Sequence, residues 1–198
     1  MFEIPRIAKF EKVSFEQYLK DFMDTYDYHI LDYHILVGAG LLPYRMSGQY
    51  NSTAIESIIR KIYDSIELPT RATVGSAGHD FHMPFKITIP IEEAVKIPTG
   101  IRCNIDNGWV LNLYPRSSHG FKYGVHLANS VGVVDSDYYN SDNEGHIFVK
   151  LLNDSAIARP VTIAAGEAFC QGIFLPFGIT YDDNTTGIRN GGFGSTSK

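Results

Sequence analysis

The chain has 198 residues, 44% of them hydrophobic, and a formal net charge of -5. That length supports one domain with a sizeable core, and the acidic balance excludes a broad footprint for duplex nucleic acid, which needs clustered Lys and Arg to displace counterions. Apolar runs far short of a membrane span, charges scattered through MFEIPRIAKFEK and two distant cysteines, Cys103 and Cys170, fit a cytoplasmic protein with no membrane partner.

Helical spacing is confined to the first 66 residues. Ser14 with Gln17 three residues on is a capping box, and Phe15, Tyr18, Leu19 and Phe22 follow on one face, which predicts a helix over 14–24. DYHIL occurs at 27–31 and again at 32–36, a period that matches neither a heptad nor a solenoid. A continuing helix with Tyr and His on mixed faces is expected there, ahead of a metal or haem role for His29 and His34. The run from Gly38 to Pro43 ends it. A second box, Thr53 with Glu56, opens a helix in which Ile55, Ile58, Ile59, Ile62 and Ile66 form an apolar stripe. That stripe must be buried, against the body or against a partner subunit.

From Pro69 onward the pattern is that of strands: Phe81 to Ile91, Ile97 to Ile101, Trp109 to Tyr114 after the Asp106-Asn107-Gly108 turn, Val131 to Val134, His146 to Leu152, Val161 to Ala164 and Ala168 to Leu175. Many short strands at such spacing predict a barrel or jelly roll. After Pro176 the apolar period is lost, and composition alone makes the polar, Gly-rich end disordered. The division expected is a helical N-terminal extension over 1–66, a β-barrel over 67–181 and a flexible arm over 182–198.

The chemistry gathers between Tyr114 and Tyr138. Arg116, Ser117 and Ser118 suit phosphate oxygens, although the same residues would also serve an ordinary strand end. Asp135-Ser136-Asp137-Tyr138 is an acidic turn behind an apolar strand edge, and an ionised Asp can take a proton from water. Read alone, Asp135 and Asp137 better suit the capping of a tight turn. A phosphate grip and a proton acceptor on one segment point to a nucleotide pyrophosphohydrolase.

Five segments then stand in order: GSAGHDF at 75–81, PRSS at 115–118, GVVDSDY at 132–138 preceded by Asn129, AGEAFCQGIF at 165–174 and RNGGFGSTS at 189–197. Over residues 71–198 the chain resembles the trimeric dUTP diphosphatases (dUTPases), which carry these five motifs in this order. The resemblance implies a mainly β, dUTPase-like distorted jelly-roll barrel with an N-terminal helical extension. It implies hydrolysis of dUTP to dUMP and pyrophosphate with Mg2+, which limits uracil incorporation into DNA and supplies dUMP for dTMP synthesis. It also implies a homotrimer whose active sites are shared, one subunit's Arg116 clamp meeting a neighbour's Asp135 hairpin.

Carried over residue by residue, the resemblance makes Asp135 the base that activates water at the α-phosphorus and gives Gln171 the orientation of a water or a phosphate oxygen. Arg116, Ser117 and Ser118 hold phosphate. Asn129, with backbone groups of Gly132 and Val134, reads the uracil edge, and Tyr138 packs under the deoxyribose so that a 2′-hydroxyl would clash. In the arm, Arg189 clamps the γ-phosphate, Phe193 stacks on uracil, and the amides of Gly194 and Ser195 wrap phosphate. Asp80 supports the metal's water shell indirectly or, as a plain strand-end residue, bonds backbone; the ion itself is expected to sit mainly on the triphosphate.

The chain departs from the family pattern at His79, in the three residues between Arg189 and Phe193 where four are usual, and in the longer YNSDNEGHIF after Tyr138. The last is expected to be an extended hairpin loop or, with the N-terminal helices, a contact for another protein. Two other functions fit less of the pattern. A dCTP deaminase of the same fold uses a glutamate where this chain has Asp135, and a dUTPase-like regulatory protein-binding module would not need the site residues.

Overall fold

The computed structural model describes residues 3–26, 52–154, 158–189 and 191. The DYHIL repeat with His29 and His34, the Gly38 to Pro43 stop, and Phe193, Gly194 and Ser195 lie outside the described residues. Burial alternates along the short strands: Ile87 and Ile89 point inward and Thr88 outward in β4 (Ile87–Ile89), and Val161 and Ile163 flank an outward Thr162 in β11 (Val161–Ile163). Such period-two strands must close a core on one face. Here they do so around Phe81, Leu111, Leu113, Leu127, Val149 and Phe169.

The main sheet is antiparallel and runs β2 (Thr70–Arg71), β3 (His79–His82), β12 (Ala168–Pro176), β7 (Trp109–Pro115), β9 (Gly132–Val134). A second sheet orders β5 (Ala94–Pro98), β10 (Phe148–Asn153) and β8 (Val125–Leu127), and β11 pairs with β4. The body is therefore mainly β and jelly-roll-like. The single strand expected over Phe81 to Ile91 is two, β3 and β4, because Pro84 has no N–H for a ladder and the chain switches sheets beside it.

The first 66 residues are not wholly helical. β1 (Ala8–Lys12) pairs antiparallel with β6 (Ile101–Ile105), Ala8 opposite Ile105 and Lys12 opposite Ile101. With charged and small residues around one aromatic, Phe10, this edge strand carries little signal of its own; its partner supplies the register. α1 (Phe15–Thr25) and α2 (Ser52–Ser65) are thus inserted between two strands of the body. Phe15, Tyr18, Phe22 and Tyr26 and the stripe residues Ile59, Ile62 and Ile66 all enter the common core. At about 1.5–3 kcal/mol per buried side chain, the helices are integral to stability. Phe22 and Tyr26 meet the Phe85 ring at 5.5 and 5.8 Å, and Tyr26 donates its hydroxyl to the Lys96 carbonyl of β5 at 2.7 Å.

The capping box at Ser14 forms in half. Ser14 Oγ accepts from the Gln17 amide at 3.1 Å, but the Gln17 side chain turns to Asp21, and the Ser14 N–H and hydroxyl are bound by Glu144 at 2.7 and 2.6 Å. The segment after Tyr138 is therefore docked on α1. Gly145 lets it turn: its φ is +71°, and a Cβ there would stand 2.7 Å from the Tyr138 carbonyl.

Both cysteines are buried and unpaired, and burial pushes the Cys103 thiol up to about 12 and the Cys170 thiol upward as well. Among the described residues no helix is long and apolar enough to cross a membrane.

One buried pair sets a pH dependence. His146 is fully buried; its Nε2 accepts the Gly100 N–H at 2.8 Å and so carries no proton, and its Nδ1 donates to Asp21 at 2.6 Å. Burial holds His146 below its usual 6.5, against the pull of Asp21, and burial lowers His79 and His119 too. Below 6.5 the unfolded chain takes protons that the folded chain refuses, so stability falls with pH through that window. For Asp21, burial alone would raise the carboxyl, but the His146 and Gln17 bonds hold it below 3.8, so its contribution is lost only at lower pH. A melting temperature that declines from about pH 6.5 downward is expected; one flat across the histidine window contradicts the neutral buried pair.

Candidate active site

Strand register assembles the first half of the site. On β12, Gln171 lies opposite Asp80 of β3 on one side and opposite Tyr114 of β7 on the other. Arg116 leaves β7 two positions beyond Tyr114, and its Nη1 forms an ion pair with Asp80 Oδ2; the two side chains are 33% and 15% exposed. The Asp80 carboxylate thus engages a guanidinium. Gln171 donates Nε2 to the Pro115 carbonyl at 3.3 Å. Its Oε1 occupies the space of a side chain at Gly78, where a Cβ would stand only 2.5 Å away, so the glycine of the first motif makes room for the glutamine of the fourth.

Arg116 to Ser118 do not end a strand plainly. Arg116, with φ -70° and ψ 135°, is the cap position of a short helix, α3 (Ser117–Tyr123), whose first turn carries both serines, Ser117 exposed and Ser118 partly buried. With Gly120 inside it this helix has weak propensity, and no periodicity announces it. Tertiary packing through buried His119 holds it in place. The outcome is a cluster of one guanidinium, two hydroxyls and one amide, all suited to phosphate oxygens.

The second half is the β8–β9 connection, which crosses from one sheet to the other because β8 pairs with β10 and β9 with β7, and the acidic turn beyond it. Asn129 sits exposed in the turn between these strands, next to Ser130 at φ 64°, and the Val131 amide donates to the Asn129 carbonyl at 2.7 Å. Gly132 lies against Leu113, whose Cβ would be 3.1 Å from any Cβ at 132, and Val134 is buried opposite Leu111. The next residue, Asp135, precedes a 3-10 helix (Ser136–Asn140), and its side chain makes no capping bond to it. The carboxylate serves Arg189 instead: Arg189 Nη2 pairs with Asp135 Oδ2, and Arg189 Nε donates to Asp137 Oδ1 at 2.9 Å. The Asp135 side chain is still 48% exposed.

Tyr138 lies below this pair, with the Arg189 guanidinium 5.8 Å from its ring centre. Its hydroxyl donates to the His146 carbonyl at 2.7 Å and accepts from Asn143 at 2.8 Å, and burial pushes the phenol up to about 12, so it stays neutral. Among the described residues, no group of three or more His, Cys, Asp or Glu could hold a metal ion.

The two halves lie apart within one chain. β9 runs antiparallel to β7 with Val134 opposite Leu111, so Asp135 emerges near Val110, while Arg116 leaves from the Pro115 end. At ~3.4 Å per residue the separation along the strand is roughly 20 Å. The sequence alone gives Asp137 no role beyond turn capping, gives Gly78 none, and draws no link between Asp21 and His146. The available signal is Asp21 itself, a carboxylate standing three residues after Tyr18 and beside Phe22 in an otherwise apolar stripe.

The dUTPase family model matches residues 64–197. A deoxyuridine 5'-triphosphate nucleotidohydrolase of Lactococcus lactis is 42% identical over 134 residues, spanning 66% of this chain and 88% of the relative. That of Haemophilus ducreyi is 39% identical over 139 residues, spanning 66% and 87%. Among solved structures, a dUTPase from Streptococcus mutans superposes with a TM-score of 0.53 at 41% identity, covering 57% of this chain and 88% of its own. A mutant dUTPase from phage phi11 of S. aureus, described with a structural Mg(II) ion, shares the fold at a TM-score of 0.51 and 16% identity, covering 62% and 91%. The family match begins at 64, so β1, α1 and most of α2 lie outside it.

Proposed function

This chain belongs to the dUTPase family, and we propose that it hydrolyses dUTP to dUMP and pyrophosphate at sites shared between the subunits of a homotrimer. The observation that carries the shared site is the separation along β7: the phosphate grip and the acidic turn occupy opposite ends of that strand, so one copy's Arg116 cluster needs another copy's Asp135. Oligomers with closed symmetry supply such a second copy in a fixed orientation.

Arg116, Ser117 and Ser118 bind phosphate oxygens through charge-assisted and hydroxyl hydrogen bonds, with Asp80 steadying the guanidinium. Gln171, already fixed at Gly78 and Pro115, presents its amide to a phosphate oxygen or to the attacking water. From the neighbouring copy's β8–β9 turn, Asn129 and the backbone of Gly132 and Val134 face the uracil edge, with Gly132 held close against Leu113 of β7. Tyr138 floors the sugar. Asp135 takes the proton of the water as the water oxygen bonds to the α-phosphorus; the bond from that phosphorus to the bridging oxygen breaks, and pyrophosphate leaves with the electron pair.

Arg189 gives this scheme a resting position. While it pairs with Asp135 and Asp137 the base is occupied, and transfer of the arm to the γ-phosphate, with Phe193, Gly194 and Ser195 following, would free the carboxylate at the moment the nucleotide is enclosed. Magnesium would fit the site as a companion of the triphosphate, since it dehydrates reluctantly, and Asp80, whose carboxylate pairs with Arg116, would be the nearby carboxylate able to support its water shell. Bound there it would neutralise part of the phosphate charge.

Pyrophosphate release with dUTP, dCTP, dTTP and UTP side by side tests the reading. Turnover confined largely to dUTP is expected. Ammonia release from dCTP would reassign the chain to the deaminases, and no product from any nucleotide would leave a binding module.

A further inference from the structure

Two features outside the common family pattern, the inserted helix α1 and the long segment after Tyr138, hold each other. Tyr139 donates its hydroxyl to Glu11 of β1 at 2.5 Å, Glu144 binds the N-terminus of α1 at Ser14, and His146 donates to Asp21 at 2.6 Å. Arg102 completes the attachment, stacking 3.6 Å from the Tyr139 ring centre and donating to its carbonyl at 2.9 Å. A surface loop that needed only to turn would not engage a strand and a helix more than a hundred residues earlier in the sequence with three separate side chains.

The deepest of these contacts leads to the nucleotide site. The His146 ring is fixed on both nitrogens, by Gly100 and by Asp21, and on its face by Phe148 at 4.5 Å. The carbonyl of the same residue is the acceptor for the Tyr138 hydroxyl. Asp21 itself is a carboxylate on the buried face of a helix, satisfied by His146 and Gln17. Burying a charge-bearing pair is weak evidence for stability, because apolar residues of similar volume often do as well or better there, and in some proteins such a pair instead fixes a conformation. What this pair orients is His146, and through it the floor of the sugar pocket.

We propose that α1 and the 139–147 loop form a clasp that positions Tyr138, with Asp21 acting through His146 as a positioning residue for discrimination against a 2′-hydroxyl. The proposal rests on the reading of Tyr138 as the sugar floor of a dUTP site. Rejection of one extra hydroxyl by packing requires a ring that cannot yield, since a displaced ring makes room. An untethered His146 carbonyl deprives the Tyr138 hydroxyl of the acceptor it donates to; Asn143 still donates to that hydroxyl, but its hold is weakened and the ring gains freedom.

The test compares kcat/KM for dUTP and UTP in the full-length enzyme. Asp21→Ala is expected to lower the dUTP:UTP ratio about fivefold or more, chiefly by improving UTP, whereas Asp21→Asn, whose amide oxygen still accepts from Nδ1, keeps it near the parent value. In a Tyr138→Phe background, which has no hydroxyl to hold, Asp21→Ala should change the ratio no further; a general loosening of the fold would add its effect in both backgrounds. An unchanged ratio in a folded Asp21→Ala enzyme, or an equal drop in the Tyr138→Phe background, overturns the proposal. Where Asp21→Ala does not fold, Glu144→Ala at the half-exposed end of the clasp takes its place, with a smaller drop expected and no drop overturning it. A parent enzyme without dUTP turnover defeats the functional reading itself, which separates the two failures.

Discussion

Asp135→Asn is expected to bind dUTP and to turn it over at least two orders of magnitude more slowly. The substitution is nearly isosteric, and the backbone at this position is extended, with φ -76° and ψ 158°, which Asn adopts without strain. The side chain makes no capping bond, so the 3-10 helix behind it does not depend on the carboxylate. What disappears is the capacity to accept a proton, and loss of a general base costs on the order of 10²–10⁴ in rate. Asp137 provides the control: it shares Arg189 with Asp135, yet its side chain is 56% exposed, so Asp137→Asn should weaken the resting pair and leave most of the turnover. Pyrophosphate release with a parallel dUTP binding measurement decides it. Near-normal turnover in Asp135→Asn removes this residue from the role of base.

Arg116→Ala should abolish productive phosphate binding, and its larger use is in combination. The substitution leaves Asp80, 15% exposed, without its cation, so some local destabilisation accompanies the loss of binding. Arg116→Ala and Asp135→Asn subunits are each expected to be nearly inactive alone. Unfolded together in equal amounts and refolded as mixed trimers, they should recover about one quarter of the parent activity, the fraction of random neighbours in which an intact Arg116 faces an intact Asp135. No recovery would mean that both residues serve the same chain's site, against the separation along β7.

The two halves of the site are unequally legible in the sequence. Arg116, Ser117, Ser118, Gln171, Asn129, Asp135 and Tyr138 are all carried by short motifs, because each works within a few residues of a strand end or turn whose local chemistry repeats. Gly78 stands in its motif, but its purpose appears only when Gln171, far away in sequence, fills its space. Arg189, expected on a phosphate, is found on Asp135 and Asp137, where its guanidinium meets the two carboxylates its own chain offers.

The sequence by itself determined the class of the body, most strand positions, the apolar faces of α1 and α2 and the family, since alternation, helical spacing and turn chemistry act over a few residues. Only the tertiary structure decided that β1 is a strand, that the helices belong to the core, that Pro84 divides a strand pair and that Arg116 opens a helix. It alone placed Asp21 against His146, 125 residues away, and Asp135 and Arg116 at opposite ends of β7. Such contacts join residues distant along the chain, and local periodicity records only which side of an element is buried, never what lies against it.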